Sequence, residues 1–274
     1  FVRGGWKTST LAKFYRSPRK LYATSFMVPT VQSSAAPTAF GEPDTGGWCW
    51  MAHYKGQLVH KDGITFRFRG QGDDLLVVRV DGEIVLNGSW PGADQRLSRW
   101  QSNHVKNRTY RLGNNYAVIG DWITLEPGVP LDMEVICGEV PGGEFDMMLV
   151  VEVEGEEYEL NAQQGPILPM FKTAVPTHDL CDRIFETLVE GECSVTGGPV
   201  FNDFSSGGKI KAATQEAAVA LEPPPQPSSS MRLWTMDGGK TLEAEFISPM
   251  GDKVILRTPK GKMVKLPAVE LSAD

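Results

Sequence analysis

Between Gly63 and Trp90, apolar and polar residues alternate so regularly, and turn residues divide them so sharply, that the segment is confined to hairpin-linked β-structure. Ile64, Phe66 and Phe68 alternate with Thr65, Arg67 and Arg69, the period of two that gives a strand one buried and one solvated face. Leu76, Val78 and Val80 repeat the pattern. Asp81-Gly82 then forms a two-residue turn whose residue types tolerate positive φ and close a hairpin onto Ile84–Asn87. The pair Asp73-Asp74 is thereby predicted at a loop tip between two well-specified strands.

The order is an apolar strand, the small residues Gly70 to Gly72, Asp73-Asp74, an apolar strand, Asp81-Gly82 and another apolar strand. It resembles the core of the protective-antigen-type (PA14-like) domain, a β-sandwich of bacterial toxins, glycosidases and fungal adhesins. Trp122 to Gly128 followed by Leu131 to Val135 matches a later strand and turn of that family, and the resemblance spans roughly residues 20–162. Trp90 to Arg111 and Pro141-Gly142-Gly143 depart from the pattern, so the family's ligand loops do not transfer there. In sugar-binding adhesins of this type the paired aspartates hold calcium, which contacts sugar hydroxyls. The resemblance therefore implies a calcium and glycan site at Asp73 and Asp74, whereas the residues alone also allow the pair to cap its own loop amides. Two carboxylates fall short of the ~6–8 oxygens that calcium takes, and Asn87 or Asp121 are candidates to add to them. Among the tryptophans, Trp50 and Trp122 lie in alternating strands and are expected in the core. Trp90, between Gly88-Ser89 and Pro91-Gly92, is expected to be exposed and ligand-facing.

With 274 residues the chain has room for one large and one small domain. We expect a basic arm over 1–20, a sandwich over 21–162, a helical docking segment over 163–204, a linker over 205–230 and a small domain over 231–274. The arm should carry a short helix around Thr10 to Tyr15, and Leu21 to Val28 should be the first strand. Residues 30–47 read as loop. Leu180, Ile184 and Leu188 mark one face of a helix from about Asp179 to Glu190. Pro223 to Ser230 reads as a semi-rigid polyproline spacer of order 25 Å. The last 44 residues form short strands with Gly turns, and Arg232, Trp234, Thr235, Ala244, Phe246, Leu271 and Ser272 are similar to the Sla-homology type of SH3-like domain. The overall expectation is a mainly β protein: a protective-antigen-like sandwich plus a small SH3-like barrel and one or two short helices.

The net charge of −7 conceals an asymmetry. Residues 1–41 hold six Lys or Arg and no acid, while Leu112 to Phe171 holds twelve Asp or Glu and no Lys, Arg or His. Opposite fields attract, so the arm is expected either to be solvated or to dock on an acidic sheet of its own chain or of a neighbour, with Trp6, Leu11 and Phe14 as apolar anchors. The acidic main domain argues against nucleic acid. The cysteines Cys49, Cys137, Cys181 and Cys193 have no metal-binding spacing. Cys49 and Cys137 read as small buried side chains on strands, and helix geometry argues against a bridge between Cys181 and Cys193. Gly-x-Ser-x-Gly, His-Glu-x-x-His, P-loop and dinucleotide motifs are missing, so binding is expected instead of catalysis. The expectation is an exported protein of the periplasm or cell surface with no cofactor apart from calcium. It acts as an assembly component through an envelope partner or self-association, or as a calcium-assisted glycan binder.

Overall fold

The computed structural model describes residues 7–91, 98–104 and 110–202, and in the C-terminal unit 231–236, 240–250, 253–259, 262–267 and 271–273. The chain divides into two compact units, Phe1–Gly207 and Gly208–Asp274. The proline run of the expected linker and Trp6 lie outside the described residues.

In the first unit the strands are β1 (Met27–Gln32), β2 (Trp50–Leu58), β3 (Ile64–Asp73), β4 (Leu75–Val80), β5 (Glu83–Asn87), β6 (Arg111–Leu112), β7 (Asn115–Tyr116), β8 (Val118–Leu125), β9 (Leu131–Glu139) and β10 (Glu144–Val153). They build one sheet in the order β1-β10-β3-β8, a second in the order β2-β9-β4-β5, and the small hairpin β6-β7. All the pairings are antiparallel. Phe66 and Phe68 of β3 and Phe145, Met147, Leu149 and Val151 of β10 form a common core with Leu76 and Val78 of β4 and Val135 and Cys137 of β9. The expected alternation thus produces a β-sandwich. Asp81 and Gly82 both take positive φ, 45° and 85°, as the β4–β5 turn requires.

The sequence reading departs from the structure at several edges. The first strand starts at Met27 instead of Leu21, and the arm has a 3-10 turn at Thr8–Leu11. The stretch read as loop contains α1 (Ala35–Ala39) and a 3-10 turn at Pro43–Thr45. Short local helices of this kind carry no periodic signal. Cys137 is buried on β9, but Cys49 is exposed and precedes β2 with φ 51°. All four cysteines are thiols.

The segment after β10 forms a third layer. Its helix α2 (His178–Thr187) is capped by the Thr177 hydroxyl, which accepts from the Leu180 amide at 3.3 Å. The helix buries Cys181 and Ile184 against Met148 and Val150, the residues of β10 that point away from the sandwich interior. Leu168, Met170, Cys193 and Val195 complete this second cluster. Burial on both faces explains why β10 reads as an almost continuous apolar run. Phe171 carries the layer into the main core, with ring centroids 5.6 Å from Phe68, 5.4 Å from Phe201 and 6.0 Å from Phe26.

The second unit is a five-stranded antiparallel sheet. Its strands are β11 (Arg232–Met236), β12 (Thr241–Met250), β13 (Lys253–Arg257), β14 (Met263–Pro267) and β15 (Leu271–Ala273), in the order β14-β13-β12-β11-β15. Trp234, Ala244 and Leu256 form its small core, and the Trp234 indole donates to the Ala244 carbonyl at 2.9 Å.

Phe171→Ala is expected to lower the stability of the first unit by about 3–5 kcal/mol, because the cavity opens among aromatic rings that cannot close over it. Urea unfolding at unchanged m-value measures this. A loss below about 1 kcal/mol would show that the third layer is an appendage, not part of the core.

Candidate functional site

Strand β3 ends at Asp73 and β4 begins at Leu75, so the chain leaves one sheet and enters the other through Asp74 alone. So short a crossing needs small residues around it. A Cβ on Gly72 would lie 2.7 Å from Leu76 Cβ, and one on Gly88 would lie 2.8 Å from the Gly70 carbonyl oxygen. The crossing is tied down on both sides: the Trp90 amide donates to the Asp74 carbonyl at 2.8 Å, and the Val140 amide donates to Asp74 Oδ2 at 2.9 Å. Asp73-Asp74 is a cis peptide. Asp73 and Asp74, predicted at a loop tip, thus stand at a strand end and a one-residue crossing between sheets, with Trp90 beside them at 38% exposure.

Other carboxylates join them. On the outward face of the first sheet Asp73 of β3 stands opposite Asp146 of β10, and Gln71 follows Asp73 on the same face. Asp146 is fully buried and accepts from Thr30 Oγ1 at 2.7 Å, from the Asn114 amide at 3.3 Å and from Gln71 Nε2. The β6–β7 turn brings Asn114 over the pair, where its Nδ2 donates to Asp73 Oδ2 at 2.7 Å. Gly113, at φ 57°, lets this turn press onto Asp146, since any side chain there would overlap the carboxylate. Glu139, at the end of β9, is 1% exposed and close enough to feel the charges of Asp74 and Asp73.

This cluster is short of positive charge and of donors. Burial, reinforced by Asp74 and Asp73, pushes the Glu139 carboxyl up to about 8. Burial pushes Asp146 up to about 6 despite its three donors, and burial also raises Asp73. The amides of Gln71 and Asn114 have their orientation fixed by donation to Asp146 and Asp73. Their oxygens Gln71 Oε1 and Asn114 Oδ1 then face no donor, and neither does Glu139 Oε2. Buried oxygens without donors are costly, and a hard cation satisfies such atoms. Among the described residues no group of three or more His, Cys, Asp or Glu is arranged to hold a metal ion. A cation here would thus take some carboxylate oxygens, with amide or backbone oxygens and exogenous hydroxyls supplying the rest. The sequence reading missed Glu139, Asp146, Gln71 and Asn114, because they converge from four separate segments. Asn87 and Asp121 are engaged elsewhere: Asn87 donates to Ser98, and Asp121 accepts from the Trp100 indole at 2.6 Å and from Asn103.

Trp122, expected in the core, is 44% exposed, and the Arg67 guanidinium lies over its ring at 4.3 Å. Arg67, expected on a solvated face, is buried. It pairs bidentately with Glu152 at 2.6 and 3.0 Å and donates to His104 Nε2 at 2.6 Å, because residues 98–104 fold back over that face. The acidic stretch draws its partners from neighbouring strands. Glu152 also takes Arg69 at 2.7 Å, and Glu134 takes His53, Lys55 and Arg79 at 2.8, 3.2 and 3.0 Å. Among the described residues of the arm, none makes a hydrogen bond or ion pair to that stretch. Ser17 and Arg19 meet Glu42 instead, Leu11 is half-buried, and Phe14 is 71% exposed. No helix among the described residues is long and apolar enough to cross a membrane.

No family model and no curated protein matches this sequence. Two solved structures are similar to it. A PA14 sugar-binding domain from an RTX adhesin shares 15% identity at a TM-score of 0.31, over 52% of this chain and 74% of that one. The PA14 domain of the antifreeze protein MpAFP shares 11% identity at a TM-score of 0.32, over 49% and 66%.

A carboxyl whose folded pKa lies above its unfolded value stabilises the fold below the unfolded pKa and loses that contribution as pH rises through the folded one. Glu139 therefore stabilises the metal-free protein near pH 4.5, and its contribution disappears by about pH 8. Without divalent cations, wild-type stability relative to Glu139→Gln should fall by on the order of a few kcal/mol between pH 5 and 8. Parallel pH profiles from chemical denaturation would contradict the uncompensated burial of this carboxyl.

Proposed function

We propose that the first unit is a glycan-binding module that engages its ligand through a divalent cation, calcium by its preference for hard oxygens, at the Asp73-Asp74 crossing. The observation that carries this reading is the convergence of Asp73, Asp74 and Glu139 with the donor-less oxygens of Glu139 and Asn114 beside a half-exposed Trp90. Asp73 and Asp74 would hold the ion, with Glu139 and Asn114 as the neighbouring oxygens. When bound, the ion supplies positive charge that neutralises the carboxylates and coordinates vicinal hydroxyls. A protein shell with too few ligands suits this role, because it leaves coordination positions to the sugar. The chain's own part is to fix the Asp74 carboxylate through the Val140 amide and the Asp74 backbone through the Trp90 amide, and to offer an aromatic face. On this reading the protein binds and does not catalyse.

The assembly reading has a separate support in Phe14 and Tyr15, 71% and 74% exposed on the arm, which a second protein or a second copy would cover. We place it second because those side chains stand apart from the uncompensated carboxylates.

A glycan array probed in calcium, and again with chelator, tests the primary reading. Capture in calcium that chelator abolishes, and that Asp74→Asn reduces at least about tenfold, is expected. Capture indifferent to both would contradict it.

A further inference from the structure

We infer that the exposed indole of Trp48 is a stacking platform for a sugar ring of the ligand held at the Asp73-Asp74 crossing. The inference rests on the glycan-binding reading above and extends the site to a second loop.

Trp48 is 70% exposed, although indole is among the side chains with most to gain from burial. Its presentation is built into the backbone. Gly46 and Cys49 on either side have φ of 63° and 51°, the latter a conformation that a residue with a Cβ adopts only under constraint. Gly47 is buried against Ser33, where a side chain would overlap the hydroxyl. The Cys49 amide donates to the Pro141 carbonyl at 2.9 Å. Ser33 and Gly143 exchange two further bonds at 2.9 and 3.0 Å. Three short segments, 32–34, 46–49 and 140–143, are stitched into one rigid rim from which the indole projects. An outlier backbone that holds an apolar ring in water has no account in the packing of the core.

The same rim reaches the carboxylates. The Trp48 ring lies against Gly142, where an added Cβ would come 3.3 Å from its Cδ2 and 2.9 Å from the Gly47 carbonyl oxygen. Val140, two residues earlier, donates to Asp74 Oδ2 at 2.9 Å. Two residues span at most about 7 Å, so with the contacts at either end the ring stands within reach of a short oligosaccharide held at the aspartate. The ring meets the glycine and is otherwise largely exposed. Trp122 offers a contrast, because its ring face is already covered by Arg67. A flat apolar face beside a cation suits the ligand class that carries both apolar C–H faces and vicinal hydroxyls, namely pyranose sugars. The cation would fix one residue of an oligosaccharide, and Trp48 would select the next by its shape.

The test takes the strongest glycan from the calcium array and measures its affinity by calorimetry for wild type, Trp48→Ala, Trp48→Phe and Asp74→Asn, with calcium affinity and melting temperature recorded for each. Trp48→Ala should weaken the glycan roughly tenfold, and Trp48→Phe should retain most of the affinity. Calcium affinity and melting temperature should be unchanged in both Trp48 variants. Wild-type affinity in Trp48→Ala, with loss in Asp74→Asn, would overturn this inference and leave the binding reading standing. Loss of calcium affinity in Trp48→Ala would also overturn it, by showing a purely structural role. Failure of the wild type to capture any glycan would overturn both.

Discussion

The sandwich turns on one covalent economy: β3 becomes β4 through Asp74, with no loop between the two sheets. Because the chain must change sheets within a single residue, Gly72 and Gly88 pack close around the crossing, and the carbonyl and carboxylate of Asp74 are held by the Trp90 and Val140 amides, from segments just beyond β5 and β9. Everything in the candidate site follows from that constraint. Asp73 is left on the outward face opposite Asp146, Asp74 is left at the rim beside Val140, and Trp90 is drawn in by its amide.

The outward face of the first sheet shows how one surface can be divided. Its middle, at Met148 and Val150, is apolar and lies under α2, so the third layer is part of the fold. One end is compensated: Arg67 and Arg69 meet Glu152, and His104 and Trp122 complete the enclosure. The other end gathers carboxylates with amides and hydroxyls but no Lys, Arg or His bonded to them among the described contacts of Asp73, Asp74 and Asp146. Two polar clusters of similar burial differ in this one respect. The balanced one reads as structure, and the unbalanced one reads as a place for a ligand of opposite charge.

Local signals made much of this legible in the sequence. The alternation of Phe66 and Phe68, the Asp81-Gly82 turn, the helix around Ile184 and the exposure of Trp90 between glycines are each written within a few residues. What stayed hidden was everything that depends on non-local convergence. Arg67 and Trp122 look like a solvated cation and a core aromatic until residues 98–104 are seen to cover one and Arg67 itself to cover the other. Glu139 and Asp146 sit in strands whose pattern says only that they are acidic. Their meeting with Asp73 depends on the register of β10 against β3 in one sheet and of β9 against β4 in the other, which no single segment records. The setting of Trp48 has no local signature either, because Gly142, which it meets, is almost a hundred residues away.

The central claim is that Asp73 and Asp74 hold a hard cation next to indole rings. Terbium, which takes calcium's oxygen sites and emits when a nearby tryptophan passes on its excitation, tests this most directly. The account predicts sensitised emission from the wild-type protein that calcium competes away. The emission should vanish in the double variant Asp73→Asn, Asp74→Asn, while its melting temperature in chelator stays close to wild type. Emission of equal strength from the double variant, or none from the wild type, would contradict a cation at this crossing.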